Sequence, residues 1–198
     1  MFTGIIIDIG EVFKIEKRNN VPKFFIYTNL NLKNLKIGSS ICCSGICLTI
    51  INKGKKRKKN YFVIAASNET LSKSSIRYWK KGTLVNIENA IKVGDTLSGH
   101  LVFGHIDRTI KVLSIKKEKG SLKFNFKLPF NLSKYIVSKG SVCIDGVSLT
   151  INDVNKKNFC VNIIEHTQKT TTFKKVQVGD FLNIEIDMIA RYVQNKLI

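Results

Sequence analysis

The sequence predicts an all-β protein, two tandem copies of one small closed barrel followed by a short C-terminal helix. Three observations carry this reading. The chain repeats itself at about half its length. Its apolar stretches are short, rich in Ile, Val, Phe and Thr, and broken by Gly, Asn and Lys. Its C-terminal end carries an apolar face at helical spacing.

The repeat rests on ordered anchors. Ser44-Gly45-Ile46-Cys47-Leu48-Thr49-Ile50 recurs as Asp145-Gly146-Val147-Ser148-Leu149-Thr150-Ile151. Asn68-Glu69-Thr70 answers to Glu165-His166-Thr167, and Val85-Asn86-Ile87-Glu88 to Leu182-Asn183-Ile184-Glu185. Gly4 aligns with Gly104, and Val12-Phe13-Lys14-Ile15 with Val112-Leu113-Ser114-Ile115. Chance similarity does not keep such an order.

In the first unit the spacing predicts strands over Gly4–Lys17, Phe24–Tyr27, Ile41–Ile51, Tyr61–Ala66 and Thr83–Glu88. In the second it predicts Gly104–Lys117, Leu122–Leu128, Ser141–Asp153, Phe159–Ile164 and Phe181–Ile186. Leu71–Tyr78 and Leu132–Ile136 read as short helical turns. A closed barrel removes exposed strand edges, which suits so many short strands. At the end, Asp187 is placed to cap a helix whose apolar face is Ile189, Tyr192, Val193 and Leu197. A helix that short is marginal alone and needs a partner surface.

Composition bounds the function. Apolar residues make up 43% of 198, enough for packed cores, and no run approaches a membrane span. The opening Met1-Phe2-Thr3-Gly4 has no basic n-region and does not read as a signal peptide. Five cysteines, an odd number with no C-x-x-C, argue against a disulfide framework and for a reducing, cytoplasmic setting. No metal site is expected, because His100, His105 and His166 are not at finger spacing from a cysteine pair. The net charge of +19 raises nucleic-acid binding, but only five of the 33 basic residues are Arg and the lysines are scattered. The one dense cluster, Lys53–Asn60, reads as a solvated hairpin loop, with a polyanion patch as the alternative.

Met1-Phe2-Thr3-Gly4-Ile5, Gly45-Ile46-Cys47-Leu48-Thr49, Gly99-His100-Leu101-Val102-Phe103-Gly104-His105, Asp145-Gly146-Val147-Ser148-Leu149-Thr150 and Asn183-Ile184-Glu185-Ile186-Asp187 resemble the signature segments of the riboflavin synthase family. The resemblance covers essentially the whole chain. It implies two six-stranded antiparallel Greek-key barrels, at 1–99 and 100–187, and an oligomerisation helix at 188–198. It implies a transferase that dismutates two molecules of 6,7-dimethyl-8-ribityllumazine, giving riboflavin and a ribitylamino-pyrimidinedione with no metal or organic cofactor. The implied partners are that substrate, further copies of the chain in a homotrimer, and lumazine synthase, with no membrane or nucleic acid.

Carried over by motif, the first pocket is lined by Gly4, Ile5, Ile6, Cys47, Leu48, Thr49, Ala65, Ala66, Ser67, Asn68, Glu69 and Thr70. The second uses Gly104, His105, Ile106, Lys139, Ser148, Leu149, Thr150, Ile164, Glu165, His166, Thr167, Gln168 and Lys169. His105 is the expected proton carrier for the substrate's acidic C7 methyl group; a lone histidine is otherwise structural. Cys47 and its repeat mate Ser148 read as a hydrogen-bond group, a nucleophile at C7, or small buried residues. His100 carries the same two readings as His105. Ser40 resembles a polar residue of the family's first pocket. Asp187 either touches a neighbour's ligand or only caps the helix. Phe103 departs from the small residue the family often carries before Gly-His. Two other readings stand beside the enzyme: a non-catalytic lumazine- or flavin-binding relative, which a degenerate second repeat would favour, and a nucleic-acid-binding barrel pair, which would interleave aromatics with arginine.

Overall fold

The computed structural model describes residues 1–18 and 21–196. Strands β1 (Asp8–Arg18), β2 (Val21–Thr28), β3 (Ser40–Cys43), β4 (Ile46–Lys56), β5 (Lys59–Ala65) and β6 (Leu84–Asn89) close a barrel in the order β1-β2-β5-β4-β3-β6. Strands β7 (Arg108–Glu118), β8 (Ser121–Lys127), β9 (Ser141–Ile144), β10 (Val147–Val154), β11 (Asn158–Ile164) and β12 (Phe181–Ile186) close a second barrel in the corresponding order. All pairings are antiparallel, and the β2-to-β5 neighbour relation is the Greek-key step.

Alternation writes the barrels. Along β2 every second residue is buried, with Phe24 and Ile26 inward and Phe25 and Tyr27 outward. The first core gathers Val12, Phe24, Ile26, Ile50, Phe62 and Ile64. The second gathers Val112, Phe124, Phe126, Ile151, Phe159 and Val161. Closure of so small a sheet needs sharp bends. Register slips between Val12 and Lys14 and between Ile50 and Asn52, and again at Val112/Ser114 and Ile151/Asp153. Each slip is an extra residue that coils its strand.

Some predicted bounds differ. Ile41–Ile51 and Ser141–Asp153 are each two strands, broken at Ser44-Gly45 and Asp145-Gly146, where both residues of each turn have positive φ. Gly4–Ile7 and Gly104–Asp107 lie outside the strands. Leu71–Tyr78 falls on helix α1 (Asn68–Lys73) and a 3-10 turn at Ser75–Tyr78; Phe130–Tyr135 is also 3-10. Helix α2 (Glu165–Thr170) was not expected. The basic cluster is a hairpin, as expected, turning at Arg57-Lys58. Beside it Phe13, Phe25, Tyr27 and Tyr61 group on the outer face, with Lys14, Lys56 and Lys59 over the rings. Aromatic and basic residues are thus interleaved after all, with lysine in place of arginine.

Helix α3 (Met188–Lys196) starts as expected, with Asp187 Oδ1 accepting the Ile189 N–H at 2.9 Å. Arg191 ties it to Asp107 at 2.5 Å. Ile189, Tyr192 and Val193 are exposed; Leu197 lies outside the described residues. No described helix is long and apolar enough to cross a membrane.

The barrels meet about a local twofold. Fully buried Phe2 and Val102 pair as an antiparallel bridge, with N–H to C=O distances of 2.7 and 3.0 Å. A Cβ on Gly45 would stand 2.8 Å from the Gly146 nitrogen, and the converse distance is 2.7 Å, so the turns touch backbone to backbone. Asn86 donates to the Asp145 carbonyl (2.8 Å) and accepts the Thr172 N–H (2.7 Å). Asn183 donates to the Ser44 carbonyl (2.7 Å) and accepts the Ser75 N–H (2.6 Å). Both amides are buried, so truncating either orphans partners at a cost of about 1–3 kcal/mol each.

Candidate active site

Each leading segment crosses to the other barrel. The Cys47 N–H donates to the Gly104 carbonyl, and the Ser148 N–H to the Gly4 carbonyl, both at 2.9 Å. Ile106 packs on the first core and Ile6 on the second. Only glycine permits this approach. Gly4 and Gly104 have φ +79 and +78, and an added Cβ would meet the Ser148 Cβ at 2.6 Å and the Cys47 Cβ at 2.5 Å.

Two buried carboxylates fix the crossings. Glu88 accepts the N–H groups of Thr3 (2.7 Å) and Gly4 (3.0 Å) and the Thr3 hydroxyl. Glu185 accepts the N–H groups of Phe103 (2.7 Å), Gly104 (2.8 Å) and His105 (3.0 Å). Burial pushes both carboxyls above the ordinary value, and these N–H donors oppose it. The sequence marked both acids as repeat anchors without giving them a role; an acid at the same place in two apolar strands was the available signal.

The crossing corrects the expected grouping. A cavity of about 270 Å³ is lined by Ile46, Cys47, Glu69, Thr70, Lys73, Ser74, Gly104, His105 and Ile106. His105 therefore faces Cys47 of the first barrel, not Ser148 of its own. Ser148 instead meets the Gly4 segment and His100, whose Nδ1 lies 2.7 Å from Ser148 Oγ. Asp187 acts electrostatically on His100. Burial holds that imidazole's proton affinity below the usual value, with Asp187 opposing. The expected catalytic residues thus form two sets, Cys47 with His105 and Ser148 with His100 and Asp187. Phe103 lies beside His105, ring centroids 6.1 Å apart.

Other expected residues fall elsewhere. Leu48 and Ala66 point into the first core, and Leu149 packs against the second. Ser40 pairs with Thr49 in β3–β4 and does not line the cavity. Lys139 takes φ +67, and its N–H donates to the Ile151 carbonyl. Ser67 caps α1 through the Thr70 N–H at 3.1 Å; Asn68 begins that helix. Ile5, Thr49, Thr150, Ile164 and His166 are exposed, Ala65 half-buried. Glu165 and Lys169 pair along α2, and Gln168 donates to the Ile163 carbonyl. Ile46, Lys73 and Ser74 also line the cavity and lie outside the expected sets, Lys73 and Ser74 following Thr70 where helix α1 ends. Among the described residues no group of three or more His, Cys, Asp or Glu side chains is placed to hold a metal.

The cavity offers a thiol and an imidazole on facing segments. The second crossing offers a hydroxyl and an imidazole already in hydrogen-bond contact. Such sets suit proton transfer and addition at an electron-poor ring carbon.

Comparison with known proteins places these features. The model of the lumazine binding domain matches residues 3–90 and again 103–187. The riboflavin synthase of Brucella abortus (strain 2308) is 40% identical, over 97% of this chain and 96% of the relative. That of Bacillus subtilis (strain 168) is 34% identical, over 98% and 88%. The fold is shared with LumP complexed with 6,7-dimethyl-8-(1'-D-ribityl) lumazine, at a TM-score of 0.79 and 23% identity, over 94% of this chain and 99% of that one. It is shared equally with LumP complexed with flavin mononucleotide, at 0.77 and 23%. With the domain matched twice, in order, and relatives aligned along nearly the full length, the chain belongs to the riboflavin synthase family.

Proposed function

We propose that the chain is a transferase acting on two molecules of 6,7-dimethyl-8-ribityllumazine. A four-carbon unit passes from one to the other, giving riboflavin and 5-amino-6-(D-ribitylamino)uracil. The observation that carries this reading is the exchange of the crossing segments. It gives two equivalent crossings on one backbone frame, one of which opens into the Cys47–His105 cavity, and a reaction between two identical molecules requires such a doubled frame. Holding both reactants can remove about 7–11 kcal/mol of barrier.

The unlike side chains give the two molecules unlike roles. In the first pocket His105 takes a proton from the C7 methyl group, and Cys47 stands where a thiol can bond at C7. In the second, burial lowers the proton affinity of His100, and its Nδ1 lies within hydrogen-bond reach of the Ser148 hydroxyl, so the tautomer with a bare Nδ1 can take that hydroxyl's proton. Backbone groups at the crossings grip the flat ring. The chain acts as a trimer, the exposed Ile189, Tyr192 and Val193 of α3 supplying apolar contact, and it works in the cytoplasm, where its five free thiols stay reduced.

The test is incubation of the purified chain with the lumazine alone, in the presence of a chelator. The expected result is flavin absorbance, with two lumazines consumed per flavin. Lumazine bound but never converted would sink the reading in favour of a non-catalytic relative.

A further inference from the structure

Beside the first cavity lies a groove that the reaction does not use. It has a volume of about 340 Å³ and is lined by Ser72, Lys73 and Arg77 of the first barrel and Asp107, Arg108, Thr109 and Asn131 of the second. Lys73 also lines the Cys47–His105 cavity, so the two spaces are contiguous through one side chain.

The groove concentrates an uncommon residue. Of 33 basic residues only five are Arg, and Arg77 and Arg108 stand here with Arg191 immediately behind. Arg191 neutralises the groove's one carboxylate, Asp107, at 2.5 Å. Asp107 is further occupied by the Ile186 N–H at 2.9 Å. Arg77 donates to the Ser72 carbonyl (2.6 Å) and, weakly, to Thr109 Oγ1 (3.4 Å). Arg108 donates to Asn131 Oδ1 at 2.8 Å. A guanidinium has five N–H donors, so these contacts orient both forks and leave donors over. Among the described residues no carboxylate pairs with Lys73, Arg77 or Arg108. Two oriented guanidinium groups and the Lys73 ammonium, none of them neutralised, make a site for a doubly charged oxyanion, and arginine is suited to its planar, two-point recognition.

The local twofold supplies a comparison within the molecule. The positions equivalent to Lys73, Arg77 and Arg108 are Thr170, Lys174 and Asp8. One cation is gone, one arginine is lysine, and the third position is an acid, held by the Thr28 hydroxyl and by Asn29. The extra cation there, Lys169, is paired with Glu165. The second crossing keeps one cation at these positions, Lys174, where the first has three.

Neither the lumazine nor riboflavin carries a phosphate, so the proposed reaction makes no demand for this charge. We propose that the groove is an anion subsite for the phosphate monoester of a phosphorylated flavin. The ring enters the Cys47–His105 cavity, and the phosphate at the end of its ribityl chain sits on Lys73, Arg77 and Arg108. This rests on the first cavity taking a pteridine or flavin ring, as proposed above. Binding there excludes lumazine from the first pocket, so the phosphorylated form of the product restrains its own synthesis. A phosphoryl transfer to the flavin is the step that would generate this ligand.

The experiment titrates the full chain with flavin mononucleotide and with riboflavin, following flavin fluorescence. At low salt flavin mononucleotide binds about tenfold tighter, as a few partly exposed ion pairs allow. The advantage fades at high salt. One tight site per chain is expected for it. The double variant R77Q/R108Q binds both flavins equally, keeps its riboflavin affinity and lumazine turnover, and unfolds at the parent's temperature. Inorganic phosphate at millimolar concentration erases the preference in the parent and leaves riboflavin binding alone. Equal affinities in the parent, a preference that survives in the double variant, or two equal tight sites would each overturn the inference. Inorganic phosphate bound in the groove with no flavin preference would assign it to the free ion and overturn it as well. If neither flavin binds, the proposed function fails too; riboflavin binding without a phosphate preference removes the inference alone.

Discussion

His105 and Cys47 face each other across a cavity that neither barrel could build alone. If His105 moves a proton in the transition state, His105→Ala lowers turnover about a hundredfold or more. Ligand affinity should change only a few-fold. Ile5→Ala removes apolar contact from a half-exposed side chain at the other crossing, and should weaken binding more than rate. Steady-state rates beside equilibrium titrations separate these outcomes, and matched losses for His105→Ala would make it structural. Asp145 bears on stability. Burial pushes its carboxyl from 3.8 to about 7, against the Asn183 N–H that it accepts. A carboxyl raised on folding holds its proton more tightly in the folded state. It therefore does no harm below about pH 4, and stability is lost as pH rises from there through 7. Asp145→Asn keeps an acceptor and a residue tolerant of φ +46. It should raise the melting temperature at pH 8 by about 3–5 °C and flatten the fall between pH 4 and 8. Glu88 and Glu185, raised for the same reason, leave a residual slope. An unchanged pH profile in the variant would refute the assignment.

Alternation marks β2 throughout and the end of β8, while β5 and β11 were legible as short runs of β-formers, Phe62-Val63-Ile64 and Phe159-Cys160-Val161, all buried. The turns inside Ile41–Ile51 and Ser141–Asp153 carry ordinary turn chemistry, Ser44-Gly45 and Asp145-Gly146 with positive φ at both residues. The apolar runs on either side masked them, and what departs from an ordinary turn is their burial at the barrel contact. The segments at Gly4 and Gly104 read as strand because their residues are β-formers; their partners lie on the other barrel. The β4–β5 hairpin shows a turn under local strain. Arg57 and Lys58 both take positive φ, +47 and +65, where the mirror-image turn favours Asn-Gly. Replacing the pair by Asn-Gly should stabilise the chain by about 1 kcal/mol or more, read as a higher urea midpoint at an unchanged slope. A lower midpoint would refute the assignment of strain to this turn.

Repeat alignment pairs like with like, Gly4 with Gly104 and Cys47 with Ser148, and so assigned each crossing segment to its own barrel. The molecule pairs unlike with unlike, and no one-dimensional comparison separates those arrangements. The fold, the duplication and the residue types of the site could be read in the sequence; the partnership between halves could not. It follows that residues 1–97 expressed alone lack the Gly104–Ile106 wall of their cavity. Two copies can supply it to each other through their Phe2–Ile6 segments, so the fragment should sediment as a dimer and bind flavin only in that form. A monomeric fragment with full affinity would contradict the exchange. The connection between the barrels is the corollary. Residues 92–99 are exposed, Val93 completely, while Phe2, Val102, Asn86 and Asn183 lock the halves together in the interior. The peptide link is then a tether that only raises local concentration. A protease that nicks it should yield two polypeptides on a denaturing gel that elute together and stay active under native conditions, a covalent monomer behaving as a heterodimer that has never been cut.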